Sequence, residues 1–159
     1  MNRELIAVLR QLVLGRKIAA LGTLHENAPF LSMVPFAVAK DGNLILHVSR
    51  LASHTQDMLD YHDVSLLIAE SETSEKMAQE LARVTVQGQA QMLDRDSEKH
   101  IEARKVYLAR FPDAASLFEF SDFNIFILKP ISVRLIAGFG RAATITGDDF
   151  ATALSEAGG

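Results

Sequence analysis

Cysteine is absent from the 159 residues of this chain, and so is tryptophan. Without cysteine there is no disulfide, no thiolate nucleophile and no Cys-based zinc or iron–sulfur site. Runs of basic residues are also missing. The formal net charge is −4 and the sequence pI ≈ 5.7, which excludes a general binder of nucleic acid or of anionic membrane surfaces. No apolar stretch reaches the roughly 18 residues of a membrane span, and the first segment, MNRELIAVLRQLVLGRK, breaks its apolar pattern with Glu4 and Arg10. A signal peptide has an unbroken apolar centre, so a cytoplasmic protein is expected. Three catalytic signatures are missing as well: a G-x-S-x-G elbow, an H-E-x-x-H helix, and a G-x-G-x-x-G between strand and helix. The late GFGRAA leads into more strand, so no dinucleotide site is expected. Asp57, Asp60 and Asp63 are spaced like a solvated helix face rather than a calcium loop. No metal site and no catalytic residue is therefore assigned.

Hydrophobic residues make up 48% and charged residues 23%, the composition of a soluble globular domain. Leu5, Ile6, Val8, Leu9, Leu12 and Val13 recur at helical spacing, with Asn2 as cap and Gly15 as stop, which predicts a helix over 3–14. Strands are expected at 17–25, 30–39 and 44–48, the last two joined by the Asp41-Gly42 hairpin signal. A short helix follows from Ser53 to about Tyr61, then a strand at 64–69. Residues 70–81 are polar and read as loop. Strand periodicity returns at 83–93, with Val84, Val86, Gly88, Ala90 and Met92 on one face. Asp96 is the expected cap of a helix ended by Pro112. The runs FNIFILKP and VRLIAGFGRAATI supply the last strands. The domain is expected to span 1–147 and to leave 148–159 as a frayed tail. Hairpin and short-helix connections favour a mainly antiparallel barrel with helices outside, over a parallel sheet built from βαβ units.

Ser53, His54 and Thr55 sit where a helix begins. Such a start presents unpaired N–H groups and the positive end of the helix dipole, so hydroxyls and an imidazole there point to an anion such as phosphate. The alternative is an ordinary cap that binds nothing. Arg83 opens a strand after a charged loop, and Arg141 lies in GFGRA. Arginine suits phosphate, and glycine permits close approach of a ligand or of a second chain.

Four segments, PFLSMVPFAVAKDGNLILHVSRLASHT, ARVTVQGQA, VYLARFPDAA and DFNIFILKPISVRLIAGFGRAATI, occur in an order that resembles the FMN-binding split barrels related to pyridoxamine 5′-phosphate oxidase. Within them the chain is most similar to the HugZ-like branch, the haem-iron-utilisation proteins. The resemblance implies a mainly β fold with flanking helices, a six-stranded antiparallel split β-barrel in a single domain. It implies a homodimer with FMN at the subunit interface. Ser53-His54-Thr55 falls on the Ser-Arg-Lys triplet that grips the FMN phosphate in the oxidases, and Arg50 just upstream can compensate for the lost cations. Ser32, Met33, Val34 and Pro35 match the strand whose backbone borders the flavin ring. Val48 and Ser49 match a Tyr-Thr pair near the phosphate, Arg83 a glutamine near the flavin, and Arg141 a segment contributed by the partner chain. Two departures matter. The substrate motif Arg-x-His of true pyridoxamine phosphate oxidases is here Arg141-Ala142-Ala143, which argues against that reaction. The last histidine is His100, so a haem ligand from the C-terminal part, as some HugZ-like proteins use, is not supplied; His25, His47, His54 and His62 remain as candidate ligands. The expected function is therefore an FMN-binding oxidoreductase acting on a small molecule, with haem binding or degradation as the alternative.

Overall fold

The computed structural model describes residues 1–156. Helix α1 runs Arg3–Gly15, and the side chain of Asn2 accepts a hydrogen bond from the Leu5 N–H at 2.9 Å, which is the expected cap. It buries Leu9, Leu12 and Val13. Strands β1 (Ile18–His25) and β2 (Ala28–Pro35) form a hairpin. Its two-residue turn is made by Glu26 (φ 50) and Asn27 (φ 65), the left-handed pair that suits strand twist. The single strand expected at 30–39 is instead broken at Phe36, which is fully buried and whose N–H bonds Lys17 O at 3.1 Å. Beyond it lies the two-residue β3 (Ala37–Val38). β4 (Leu44–Ser49), α2 (Ser53–Asp60) and β5 (Asp63–Ala69) follow. After a polar stretch with one 3-10 turn come β6 (Arg83–Met92) and α3 (Glu98–Arg110). The cap of α3 is Ser97 rather than Asp96. A 3-10 segment at Pro112–Glu119 leads into β7 (Phe123–Ile136), then β8 (Ala142–Thr146).

The strands form one antiparallel sheet of eight, in the order β2-β1-β5-β6-β7-β4-β3, with β8 also on β7. The sequence pattern itself gives seven strands, one more than the six-stranded barrel that the resemblance implies, and Phe36 splits one of them in two. The two strands expected at the end are the long β7 and a separate β8, with the boundary moved to Ile136. β7 runs through Pro130, which has no N–H to give. The ladder with β6 accommodates it through a register shift at Gln87/Gly88, the kind of irregularity that proline in a sheet requires. β4 pairs with the first half of β7 and β8 with its second half. β2 and β3 end the sheet without pairing with each other, which leaves the barrel split.

The core lies inside the curled sheet, where Leu21, Val34, Leu46, Val48, Leu66, Val86 and Phe126 meet α1 and Met58 of α2. A smaller cluster on the outer side places Ala103 and Tyr107 of α3 on Ala37, Ile45 and Ile125. The tail expected to fray after Gly147 is instead helix α4 (Gly147–Ser155), capped by Thr146, with Phe150, Ala153 and Leu154 buried. Residues 157–159 of that expected tail lie outside the described residues. No helix among the described residues is long and apolar enough to cross a membrane.

Candidate functional site

The segment between β4 and α2 is a tight turn held by its own side chains. Thr55, fully buried, donates its hydroxyl to Ser49 O at 2.6 Å. Ser49 Oγ donates to Asp122 Oδ2 and accepts from the Leu51 N–H at 3.1 Å. Arg50 is exposed, and its guanidinium bonds Ser121 O at 3.2 Å. The expected phosphate grip is therefore altered in two ways. The hydroxyls of Ser49 and Thr55 are engaged within the chain, and the Asp122 carboxylate beside Ser49 opposes a second anion. What remains is the helix start. Its cap position is Ala52, which offers no side-chain cap bond, and Ser53 is exposed. The first N–H groups of α2 are left without that cap.

His54 differs most from expectation. It is half-buried, and its Nε2 is buried without a hydrogen-bond partner. Burial pulls its pKa below the ordinary histidine value, opposed in part by the Asp57 carboxylate. A neutral imidazole is a poor grip for phosphate and a good donor to a metal. Ser32 Oγ is likewise buried without a partner. Two of the expected site residues thus carry orphaned polar atoms, the kind of group that a ligand or water satisfies.

The other expected residues are placed less favourably. Val34 and Val48 point into the core at 1% and 4% exposure, because side chains alternate along a strand. Only their backbone is left for a ligand. Met33 and Pro35 point outward from β2. Arg83 donates to Gln79 O and to Leu81 O at 2.8 Å, and so closes the 3-10 turn before β6. Arg141 bonds Ala137 O at 2.9 Å and Glu4 at 3.3 Å. Register separates both arginines from the turn. Ser49 pairs with Phe123 at the start of β7, and Arg83 pairs with Ile136 at its end. Within one chain these cations do not join Ser53-His54-Thr55.

Two side-chain groups escaped sequence reasoning. Asp57 is 4% exposed, not on a solvated face. It accepts from Thr23 Oγ1 at 2.9 Å and from His25 Nδ1 at 2.7 Å, which ties α2 to the β1–β2 hairpin. The carboxylate raises the pKa of His25. The second group surrounds His47, which is 5% exposed and stacked on Phe118 with centroids 3.7 Å apart. It faces a cleft of about 460 Å³ between α3 and the start of β7. The spacing of His100 and Arg104 on one helical face was the available signal. Nothing in the sequence placed His47 and Phe118 opposite them.

Burial, helped by the positive charges of His100, Arg95 and Arg104, pushes the His47 pKa down to about 4. Because the folded value lies below the unfolded one, this group supports the fold above pH about 6.5, and the support is lost as pH falls towards 4. His25, with its raised pKa, acts in the opposite sense. Comparison with His47→Phe isolates the term. Between pH 7 and 4.5 the wild type is expected to lose roughly 2 kcal/mol more unfolding free energy than the variant, measured by urea denaturation. Equal losses would contradict the burial of a neutral imidazole.

Residues 2–152 match the family described as "CREG, beta-barrel". The chain is 31% identical over 136 residues to "Heme oxygenase HutZ" of Vibrio cholerae serotype O1, covering 84% of this chain and 77% of that protein. It is 35% identical over 124 residues to "Non-canonical heme oxygenase HOZ, chloroplastic" of Arabidopsis thaliana, covering 78% of this chain but 36% of that protein. Among solved structures, a heme binding protein from Mycobacterium smegmatis superposes with TM-score 0.84 at 25% identity, covering 96% of this chain and 62% of that one. The chain thus spans little more than a third of the plant protein and under two thirds of the mycobacterial chain. The split-barrel resemblance drawn from the sequence, including its haem-iron-utilisation branch, is borne out.

Proposed function

This chain belongs to the CREG β-barrel family, and from that premise we propose that it is a cytoplasmic homodimer that binds haem and serves its storage or breakdown. One observation carries the reading: the turn at Ser49–Thr55 presents an uncharged imidazole with an orphaned Nε2, where a flavin phosphate would want cations. Haem asks for an axial donor, an open apolar surface and cations for its carboxylates. His54 is the candidate donor. Leu51 of the same turn is 88% exposed. Exposed Arg50 is the candidate cation for one haem carboxylate, a single charge that the nearby Asp122 opposes less than it would the dianionic phosphate of a flavin. Bound haem would supply the redox chemistry, while the chain orients and shields it.

The sheet supports the dimer. On the outer face of β2, β1 and β5, Leu31 and Met33 are 73% and 66% exposed and Leu67 is 41% exposed. They stand over Ala20 and Gly22, which pair with them across the ladder. An open apolar face beside an unpaired strand edge asks for a partner.

Titration of the purified protein with haemin is the test. A Soret band that saturates is expected, and His54→Ala is expected to weaken binding by at least about tenfold and to shift the band, as loss of a donor does. No saturable band, or an unchanged one in His54→Ala, would overturn the haem reading or the choice of ligand respectively. The FMN-dependent oxidoreductase is the second reading, favoured by the uncapped helix start with its exposed Ser53. Quenching of FMN fluorescence on adding the protein, with no response to haemin, would establish it instead.

A further inference from the structure

The cleft beside α3 lies on the opposite side of the sheet from the barrel core and plays no part in the haem reading. Its volume is about 460 Å³. Three cations line it, Arg95, Arg104 and Lys105, and no carboxylate does. Among the described residues, none of the three lies within ion-pair distance of an acidic side chain. Asp94 and Asp96 lie close enough for their charge to act on His100, but the lining itself carries one sign only, in a protein of net charge −4. The cleft is also apolar in part. Ile101 and Leu108 of α3 and Phe123 of β7 line it, and the guanidinium of Arg104 lies 4.8 Å from the Phe118 ring centroid. That contact holds the cation in place at the rim.

His47 is the independent sign that something binds. It lines the cleft at 5% exposure, and its Nδ1 is buried with no hydrogen-bond partner. An orphaned ring nitrogen has a cost that a ligand oxygen would relieve. The stack on Phe118, 7° from parallel, keeps the ring from turning away.

We propose that this cleft binds a planar aromatic carboxylate, with its ring against Ile101, Leu108 and Phe123 and its carboxylate shared by Arg104, Lys105 and the orphaned Nδ1 of His47, which donates as N–H. Arginine matches the flat, two-oxygen geometry of a carboxylate, and the apolar lining selects against a bare inorganic anion. Pockets of this kind are mostly apolar with a few placed polar groups.

The probe is 1-naphthoate, titrated into the full-length protein by calorimetry, with the ring protons of His47 and His100 followed by NMR. Saturable binding with shifts of both histidines is expected. Arg104→Gln combined with Lys105→Gln should weaken it at least about tenfold. Both side chains are exposed, so the fold is expected to be intact, and an unchanged thermal midpoint checks this. The uncharged 2-methylnaphthalene and inorganic phosphate should each bind at least about tenfold more weakly than 1-naphthoate, since each lacks one half of the recognition. The proposal is overturned if 1-naphthoate fails to saturate, if the histidine signals stay still, if the double variant binds as well, or if either control matches it. No haem enters the titration, so its result stands apart from the haem reading.

Discussion

Phe150→Ala is expected to cost about 3–5 kcal/mol of unfolding free energy. In a domain of this size that lowers the thermal midpoint by roughly 10 °C. Phe150 is fully buried and belongs to the main core with Ala153 and Leu154 of the same helix. Three further contacts make α4 part of the fold. Thr146 Oγ1 accepts from the Asp149 N–H at 3.1 Å. Arg10 of α1 donates to Ala153 O and Leu154 O near the end of α4, where unpaired carbonyls favour a cation. A Cβ on Gly147 would stand 2.0 Å from Pro130 O, so the helix starts in close contact with β7. Differential scanning calorimetry of Phe150→Ala beside the exposed control Asp148→Ala gives the answer. Equal midpoints in the two would mean that α4 is not docked.

Leu31→Asp combined with Met33→Asp is expected to convert the proposed dimer to monomer, raising its dissociation constant at least about a hundredfold, or roughly 3 kcal/mol. Both side chains are largely exposed in the single chain, so charge there leaves the monomer's core untouched. In a closed interface the same carboxylates would be desolvated without partners, and by symmetry each change counts on both sides of a twofold contact. Light scattering at micromolar concentration reads the change. Wild-type protein that is already monomeric would remove the dimer from the proposed function. If the haem site is shared between the two chains, the Soret response should fall together with the mass. A monomeric variant that retained full haem affinity would place the site within one chain.

The two largest expected effects were unequally visible in the residues. Leu31 and Met33 alternate along β2, and a homodimer is expected from the family resemblance. Phe150, Ala153 and Leu154 stand at helical spacing in TGDDFATALSEA, but the stripe is a single turn long and set among small and polar residues, so the segment reads as a tail. Its cap pattern, Thr146 followed by Asp148 and Asp149, was the signal present. The docking of a sparse helix depends on what surrounds its one aromatic ring.

Local order settled much of this chain in advance. Periodicity placed α1 and Asn2 as its cap, the Asp41-Gly42 turn and the alternation of β6, because these depend on neighbours within a few residues. Composition and spacing likewise marked Ser53-His54-Thr55 as a helix start. Tertiary structure decided the chemical state of those groups. Thr55 is drawn inward to Ser49 O, Asp122 arrives at Ser49 from far along the chain, and burial leaves His54 uncharged. It also parted Arg83 and Arg141 from that turn, since strand register carries them to the other end of β7. The same long-range folding set His47 against Phe118 and a row of cations on α3. Hydrogen-bond partners and desolvation are properties of three-dimensional surroundings, so residue types and spacing alone could name the candidates but could not assign their charge or their company.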